Sequence, residues 1–155
     1  EKVSFNSSAI SHPSIVSQAV RKFGSQAVIV SIDADKKWFG RGWGVRNPST
    51  KKLIKVSLTE HLIDVQELGV GEVLITSVRQ EGTMMGYDEE LMNFTKSLVR
   101  IPAILNGGAA SIEDFQMAFK AGMTGAGGGA IFVYQGTHRG VLISYPNKFV
   151  EANWS

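Results

Sequence analysis

Short apolar runs that alternate with helix-like stretches organise this chain. We interpret five of the runs as strands, at residues 2–6, 27–32, 72–76, 101–105 and, less regularly, 124–130. The runs show little polar alternation, which is typical of strands buried on both faces of a parallel sheet. The pattern therefore predicts a sheet whose strands are connected by helices.

The helical stretches lie between these runs. Residues 13–23 carry apolar positions at helical spacing, with Pro13 suited to the first turn and Gly24 to the end. Further helices are predicted over 59–68, from Asp88 onward and from Ser111 onward, where Ser111 and Asp114 resemble a capping box. Alternating strands and helices predict right-handed βαβ crossovers and one α/β domain over residues 1–155.

A long excursion interrupts this alternation at residues 36–57. It contains Trp38, Phe39, Trp43 and Val45 around Gly40 and Gly42, and it predicts an inserted β-ribbon. The ribbon is either a hairpin whose aromatic side chains pack over the sheet or a lid over a site. We favour packing.

Composition narrows the class of protein. With 155 residues, 43% hydrophobic and 19% charged, the chain fits a globular domain. We expect a cytoplasmic location, with no signal peptide and no membrane span. The absence of cysteine excludes disulfides and thiolate metal sites. His12, His61 and His138 are too far apart to predict a metal site, and we expect them at the surface.

The net charge of +2 is too small to indicate nucleic-acid binding. No platform that combines basic and aromatic side chains is visible either. A mildly basic chain is compatible with a small anionic substrate. We expect no cofactor.

Candidate chemistry follows the strands, because the carboxyl ends of parallel strands form the site in α/β folds. Asp33 ends the second predicted strand and Glu81 follows the third. Two carboxylates across a cavity can divide general acid and base work. The structural alternative for Asp33 and Glu81 is a helix N-cap or a salt bridge to Lys36 or Arg79.

Two glycine loops follow the last two strands, at 106–109 and 127–130. Glycine lets backbone N–H groups approach an anion, and a helix start adds favourable partial charge. Paired loops at these positions favour phosphate binding. Close backbone packing or tight turns are the alternative.

Several of these segments resemble the cyclase subunit of imidazole glycerol phosphate synthase. They occur in order as KVSFNS (2–7), GSQAVIVSID (24–33), GEVLITS (71–77), EGTMMGYD (81–88) and NGGA (106–109). The resemblance extends to about residue 133. It implies a (βα)8 barrel of histidine biosynthesis that takes ammonia from a partner glutaminase. The reaction would convert a phosphoribulosyl formimino carboxamide ribonucleotide to imidazole glycerol phosphate and an aminoimidazole carboxamide ribonucleotide.

The resemblance also implies roles for single residues. Asp33 matches one of two catalytic aspartates, the one on the fifth barrel strand. The residues that match one phosphate site in part are Asn6 and Ser7. Those that match or line the other are Gly82, Asn106, Gly107, Gly108, Gly129 and Ala130. Lys2 and Glu72 match charged residues where ammonia enters, with a structural ion pair as the alternative.

The chain departs from that family at several points. Only the fourth to eighth strands are represented, so the first-strand aspartate is absent. Glu81 stands where aspartate is usual, Arg79 and Gln80 replace an acidic-basic pair, and Ala130 stands where serine is usual. The tail 136–146 reads as extended and not as a final helix. These features are similar to barrel paralogues of surface-polysaccharide loci, which are thought to serve sugar amidation with a glutaminase-like partner.

The fold expected is therefore α/β, a partial (βα)8 barrel. Five strands leave two sheet edges and an apolar face exposed, so we expect a homo-oligomer or a complementing half-barrel as partner. We expect a cyclase-like protein that is inactive as this isolated chain. The alternative is a non-catalytic phosphate-binding or assembly module.

Overall fold

The computed structural model describes residues 1–37, 42–135 and 139–143. Strands and helices alternate along the described chain. The strands are β1 Val3–Phe5, β2 Val28–Lys36, β3 Trp43–Arg46, β4 Leu53–Ser57, β5 Glu72–Ser77, β6 Ala103–Asn106, β7 Gly125–Gly127, β8 Tyr134–Gln135 and β9 Gly140–Val141. The helices are α1 Ser7–Ser11, α2 Pro13–Phe23, α3 Leu58–Glu67, α4 Glu89–Leu98, α5 Ile112–Lys120 and α6 Ala130–Val133.

The main sheet contains the five predicted strands in parallel. Its order is β1-β2-β5-β6-β7, and helices connect each strand to the next parallel one. Among the described residues β1 pairs only with β2 and β7 only with β6, so the sheet is not closed. The predicted fold class, a partial (βα)8 barrel, is confirmed.

The two faces of this sheet differ in burial. Val28, Val30 and Ile32 of β2 are fully buried in the helix-covered core, whereas the alternating Ile29, Ser31 and Asp33 are only partly buried. Strands β5 and β6 show the same alternation at most positions. The expectation of strands buried on both faces is therefore wrong for this chain. Helices cover one face, and the other is the partly exposed inner face of an unclosed barrel, called the open face below.

A β-ribbon branches from the carboxyl half of β2. β1 pairs with Val28–Val30, and β3 pairs antiparallel with Asp33–Lys36, which extends β2 beyond its predicted end at residue 32. β4 then pairs with β3. Trp43 and Val45 are buried, as the packing interpretation requires of them. Trp38, Phe39 and Gly40 lie outside the described residues.

The helix boundaries follow local capping chemistry. Helix α2 begins at Pro13 and ends before Gly24, whose φ of +85° favours glycine. A capping box of Ser57 and Glu60, not seen in the sequence, starts α3 one residue before the predicted position. On α2 only Val16 is fully buried, and Ile15 and Phe23 are exposed, so the buried stripe is narrower than predicted.

The end of the described chain forms a two-stranded hairpin. β8 pairs antiparallel with β9, and the Arg139 guanidinium donates to the Thr83 carbonyl at 2.7 Å. Residues 136–138 and 144–146 of the predicted extended tail lie outside the described residues. In the part of the chain that is described, no helix has both the length and the apolar character of a membrane span.

Candidate active site at the carboxyl end of the sheet

A row of register partners marks the carboxyl end of the sheet. Asp33 of β2 lies opposite Thr76 of β5, Thr76 lies opposite Asn106 of β6, and Asn106 lies opposite Gly127 of β7. The Asn106 amide donates to Thr76 Oγ1 at 3.2 Å. These residues alternate with the core positions of their strands, so they lie on the open face.

Asp33 is partly buried at one end of this row. Its described side-chain partner is the Asn6 amide, whose Nδ2 donates to Asp33 Oδ1 at a long 3.4 Å. The two cations considered as salt-bridge partners are paired with other carboxylates: Arg79 binds Asp35 and Lys36 binds Glu90. Among the described residues, the salt bridge considered as the structural alternative for Asp33 is therefore not formed.

A charged cluster adjoins Asp33. The buried Asp35 carboxylate accepts from Arg46 Nη2 at 2.8 Å and from Arg79 Nε at 2.7 Å. Burial alone raises the pKa of Asp35, but the hydrogen bonds from Arg79 and Arg46 outweigh burial and hold this pKa below its usual value. The cluster joins β2, the ribbon and the loop after β5.

The glycine loops line a cavity of about 530 Å³. Six of the predicted phosphate-site residues and one of the candidate carboxylates share its wall: Gly82, Asn106, Gly107, Gly108, Gly129, Ala130 and Glu81. The cavity with this wall is called the glycine pocket below. The structure thus brings together residues from the loops after β5, β6 and β7.

Backbone conformation and packing require glycine at some positions of these loops and not at others. Gly107 and Gly108 have φ of +94° and +105°, and a Cβ at either would collide with backbone oxygens of Ser77 or Gly86. For these two the packing interpretation is sufficient. Gly129 has a φ of −112°, and a Cβ there would meet open space. Neither strain nor packing requires glycine at 129, which favours a role in lining the pocket.

Tyr87 holds Gly127, a residue that lines the cavity. Its hydroxyl donates to the Gly127 carbonyl at 2.8 Å, and its ring meets Phe115 edge to face. Burial, and secondarily the charge of Asp114, raises the pKa of Tyr87 well above its usual value. The phenol therefore stays protonated and keeps donating.

The other predicted residues at the carboxyl end of the sheet lie on the two sides of Asp33. Glu81 is exposed on the pocket wall, and Asp33 is not among the lining residues. Asn6 and Ser7 lie on the opposite side of Asp33, where Ser7 Oγ is 3.5 Å from Ser49 Oγ of the ribbon turn. The two sets of predicted phosphate-site residues thus lie at opposite ends of the row.

Lys2 and Glu72 meet at the amino end of the sheet. Lys2 Nζ lies 2.8 Å from Glu72 Oε2, and the pair links the residue before β1 to the start of β5 across β2. The Glu72 side chain is 13% exposed and the Lys2 side chain 48%. The contact fits the structural ion pair considered above, and it leaves a role in ammonia entry as a prediction.

Sequence reasoning missed several residues of this region. Thr76 is the last residue but one of β5 and pairs with Asn106, a position that the strand pattern could have indicated. Asp35 repeats the Asp33 position two residues later and could also have been suspected, whereas Arg46 reaches it only through the ribbon register.

His61 was expected at the surface but is buried on α3, where burial lowers its pKa despite the charge of Asp64. The α3 periodicity brings it inward beside Leu62 and Val65. His12 is exposed as expected, and His138 lies outside the described residues. Over the described ranges, no group of three histidine or carboxylate side chains could hold a metal ion.

Comparison with known proteins identifies similar chains. A family model described as "Histidine biosynthesis protein" matches residues 1–139. The chain is 36% identical over 148 residues to a protein named putative imidazole glycerol phosphate synthase subunit HisF from Leptospira borgpetersenii, covering 95% of this chain and 58% of that protein. It is 39% identical over 135 residues to imidazole glycerol phosphate synthase subunit HisF from Thermotoga sp. (strain RQ2), covering 87% and 53%.

A third relative is named putative imidazole glycerol phosphate synthase subunit hisF2, from Pseudomonas aeruginosa. It is 38% identical over 148 residues, covering 95% of this chain and 59% of that protein. The chain thus spans between 53% and 59% of the length of these three curated relatives.

Proposed function

The chain belongs to the histidine biosynthesis protein family, and from that premise we propose that it supplies the fourth to eighth strands of an imidazole glycerol phosphate synthase cyclase-type barrel. In this proposal it carries one acid/base group and parts of two phosphate sites. The substrate is a ribonucleotide with a phosphate at each end. Ammonia comes from a glutaminase partner and enters at the Lys2–Glu72 end.

The observation that carries the proposal is the arrangement of the row between two candidate anion sites. The glycine pocket lies on one side of Asp33 and the Asn6–Ser7 turn on the other. A substrate held by phosphates at both ends would present its middle to Asp33, Thr76 and Asn106. Positioning of this kind lowers the entropic cost of the reaction.

Asp33 is the group we assign to proton transfer. The Asn6 amide orients its Oδ1, so the other carboxylate oxygen can take or return a proton at the substrate. Glu81 lies on the pocket wall and is exposed, which favours contact with the substrate near the bound phosphate over a shared proton with Asp33. One acid/base group is fewer than the two expected, so the isolated chain should not turn over.

A complementation assay tests this function. We expect no ammonia-dependent cyclisation of the phosphoribulosyl formimino carboxamide ribonucleotide by the 155-residue chain alone. Adding the first half-barrel of the Thermotoga relative should give turnover, and Asp33→Asn should then lower the rate roughly 100-fold or more. Asp64→Asn, at an exposed position on α3, is the control and should leave the rate unchanged.

Two outcomes would count against the proposal. Robust turnover by the chain alone that disappears with Asp33→Asn would refute the expected inactivity. Turnover of the complemented protein that Asp33→Asn does not slow would refute the acid/base role.

Phosphate binding is a separate prediction. Gly129→Glu adds a carboxylate at the wall of the glycine pocket without a backbone clash, since open space surrounds the added Cβ. We expect inorganic phosphate to bind at least about tenfold more weakly, equivalent to about 1.4 kcal/mol, because like charges repel. A phosphorus NMR titration measures this, with Gln116→Glu on the exposed side of α5 as the equal-charge control. Equal weakening in both variants would contradict a site at residue 129.

A non-catalytic, phosphate-binding module remains the second candidate. The position of Glu81 on the pocket wall, away from Asp33, favours it. Phosphate binding that Gly129→Glu weakens, combined with failure of every complementation assay, would select this alternative.

A further inference from the structure

Two arginines from different elements hold one buried carboxylate beside Asp33. Arg46 belongs to strand β3 of the ribbon and Arg79 to the loop after β5. Arg46 binds Asp35 Oδ2 and Arg79 binds Asp35 Oδ1, so one carboxylate holds both guanidinium groups side by side. Arg79 Nη2 also donates to the Lys36 carbonyl at 3.1 Å. Arg46, Arg79 and Asp35 are together called the arginine cluster below.

The strand register places the arginine cluster at the candidate active site. Arg46 is the direct cross-strand partner of Asp33, and paired residues of antiparallel strands project to the same face. Asp35 follows Asp33 by two residues and projects to that face as well. Neither arginine is among the residues that line the glycine pocket.

Charge and exposure distinguish the arginine cluster from a simple anchor. One arginine is enough to neutralise Asp35, so the cluster itself carries one excess positive charge, which lies beside the Asp33 carboxylate on the paired strand. The nearby Lys36 adds nothing to this excess, because its ammonium binds Glu90 at 2.6 Å. Side-chain exposure is 32% for Arg46 and 51% for Arg79, so solvent and solutes reach both guanidinium groups.

The donors of the arginine cluster are not all satisfied. Arg46 Nε is buried and has no hydrogen-bond acceptor among the described residues. A buried unpaired donor is unfavourable and is often explained by a missing water or ion. A guanidinium presents parallel N–H groups that match an oxyanion, and the bonds to Asp35 reduce the side-chain entropy lost on binding.

We infer that Arg46 and Arg79 form an oxyanion subsite at the Asp33 end of the row, separate from the glycine pocket. The ligand is a phosphate monoester or a carboxylate group of a small molecule. Asp35 is a positioning residue that holds the two guanidinium groups next to each other. The subsite rests on the arginine cluster alone, and only its use by the substrate of Asp33 rests on the proposed function.

Arginine side-chain NMR tests this inference directly. In the isotope-labelled full chain, the Nε–Hε signals of Arg46 and Arg79 are followed during titration with inorganic phosphate, acetate or chloride at matched ionic strength. We expect saturable shifts of both signals with phosphate or acetate. Shifts with phosphate alone identify a phosphate subsite, and shifts with acetate as well identify a general oxyanion subsite. Shifts that chloride reproduces would overturn the inference.

Variants separate this subsite from the glycine pocket. We expect Arg79→Gln to weaken the binding reported by the Arg46 signal at least tenfold. Arg100→Gln, an exposed position before β6, removes the same charge elsewhere and should not weaken it. Arg79→Lys keeps the charge but loses the paired donors of the guanidinium, so it should also weaken binding. It tests the subsite even where Arg79→Gln disturbs the ribbon. Gly129→Glu should leave the Arg46 shifts intact, whatever happens to phosphate at the glycine pocket. Unchanged binding in both Arg79 variants would refute the subsite.

Discussion

The ionisation of Asp35 couples the charge of one residue to the stability of the fold. Its pKa is lower in the folded chain than the usual 3.8, because the hydrogen bonds and charges of two arginines outweigh burial. A lowered carboxyl pKa contributes stability that is fully present above about pH 4 to 5. That contribution is lost as the pH falls through 3.8 toward the folded pKa.

Asp35→Asn should therefore destabilise the chain at pH 7 and less so in acid. We expect a loss of about 1–3 kcal/mol at pH 7, below the full cost of breaking a buried pair because both arginines are partly exposed. Urea unfolding at pH 7 and pH 3 measures the difference between the two proteins, which should narrow at the lower pH. Glu67→Gln, at an exposed position on α3, is the control. A difference that stays constant with pH would show that the charge of Asp35 does not stabilise the fold.

Single side chains also connect whole elements, and Gln66 is one such connection. From the last turn of α3, Gln66 Nε2 donates to the carbonyls of Leu62 at 2.9 Å and Leu98 at 3.4 Å. Its Oε1 accepts from the Arg100 amide at 2.8 Å. The side chain thereby satisfies backbone groups that the end of α4 leaves unpaired.

Gln66→Ala should loosen the contact between the ends of α3 and α4. The Arg100 amide loses its acceptor, and we expect the free energy of unfolding to fall by about 1–2 kcal/mol. Amide hydrogen exchange should accelerate locally at Arg100. Gln116→Ala removes the same side chain from an exposed position on α5 and should change neither quantity. Equal destabilisation by the two variants would show that the bridge across the helix ends contributes nothing.

For single strands and helices, the sequence predicted the structure wherever local chemistry decides it. The apolar runs gave the strands, Pro13 and Gly24 bounded α2, and Asp88 starts α4 by accepting from the Leu91 amide. The end of β2 was missed because pairing with β3 extends it, and that pairing depends on residues far along the chain. Arg46 was missed at the candidate site for the same reason. Burial of His61 was missed although the α3 periodicity places it on the buried face with Leu62 and Val65.

The whole molecule has a surface that a closed barrel would not expose. The open face carries partly buried apolar side chains on three neighbouring strands, Ile29, Leu74 and Ile104, beside the polar row. Among the described residues β1 and β7 also leave one edge each without a partner strand. Unpaired edges and apolar faces promote association, because both backbone hydrogen bonds and apolar burial remain available.

We therefore expect the 155-residue chain to associate through the open face at micromolar concentration. Sedimentation velocity should show a dimer or larger species that grows with concentration. Ile104→Lys places a charge on the open face and should shift the chain toward monomer, whereas Ile63→Lys makes the same change on the exposed side of α3 and should not. Circular dichroism separates weaker association from loss of fold. A stable monomer at every concentration, or equal dissociation by both variants, would mean that the open face is not the associating surface. A complementing half-barrel would cover the same face, so it should compete with self-association as it forms the complex. Ile104→Lys should weaken both the self-association and the complex.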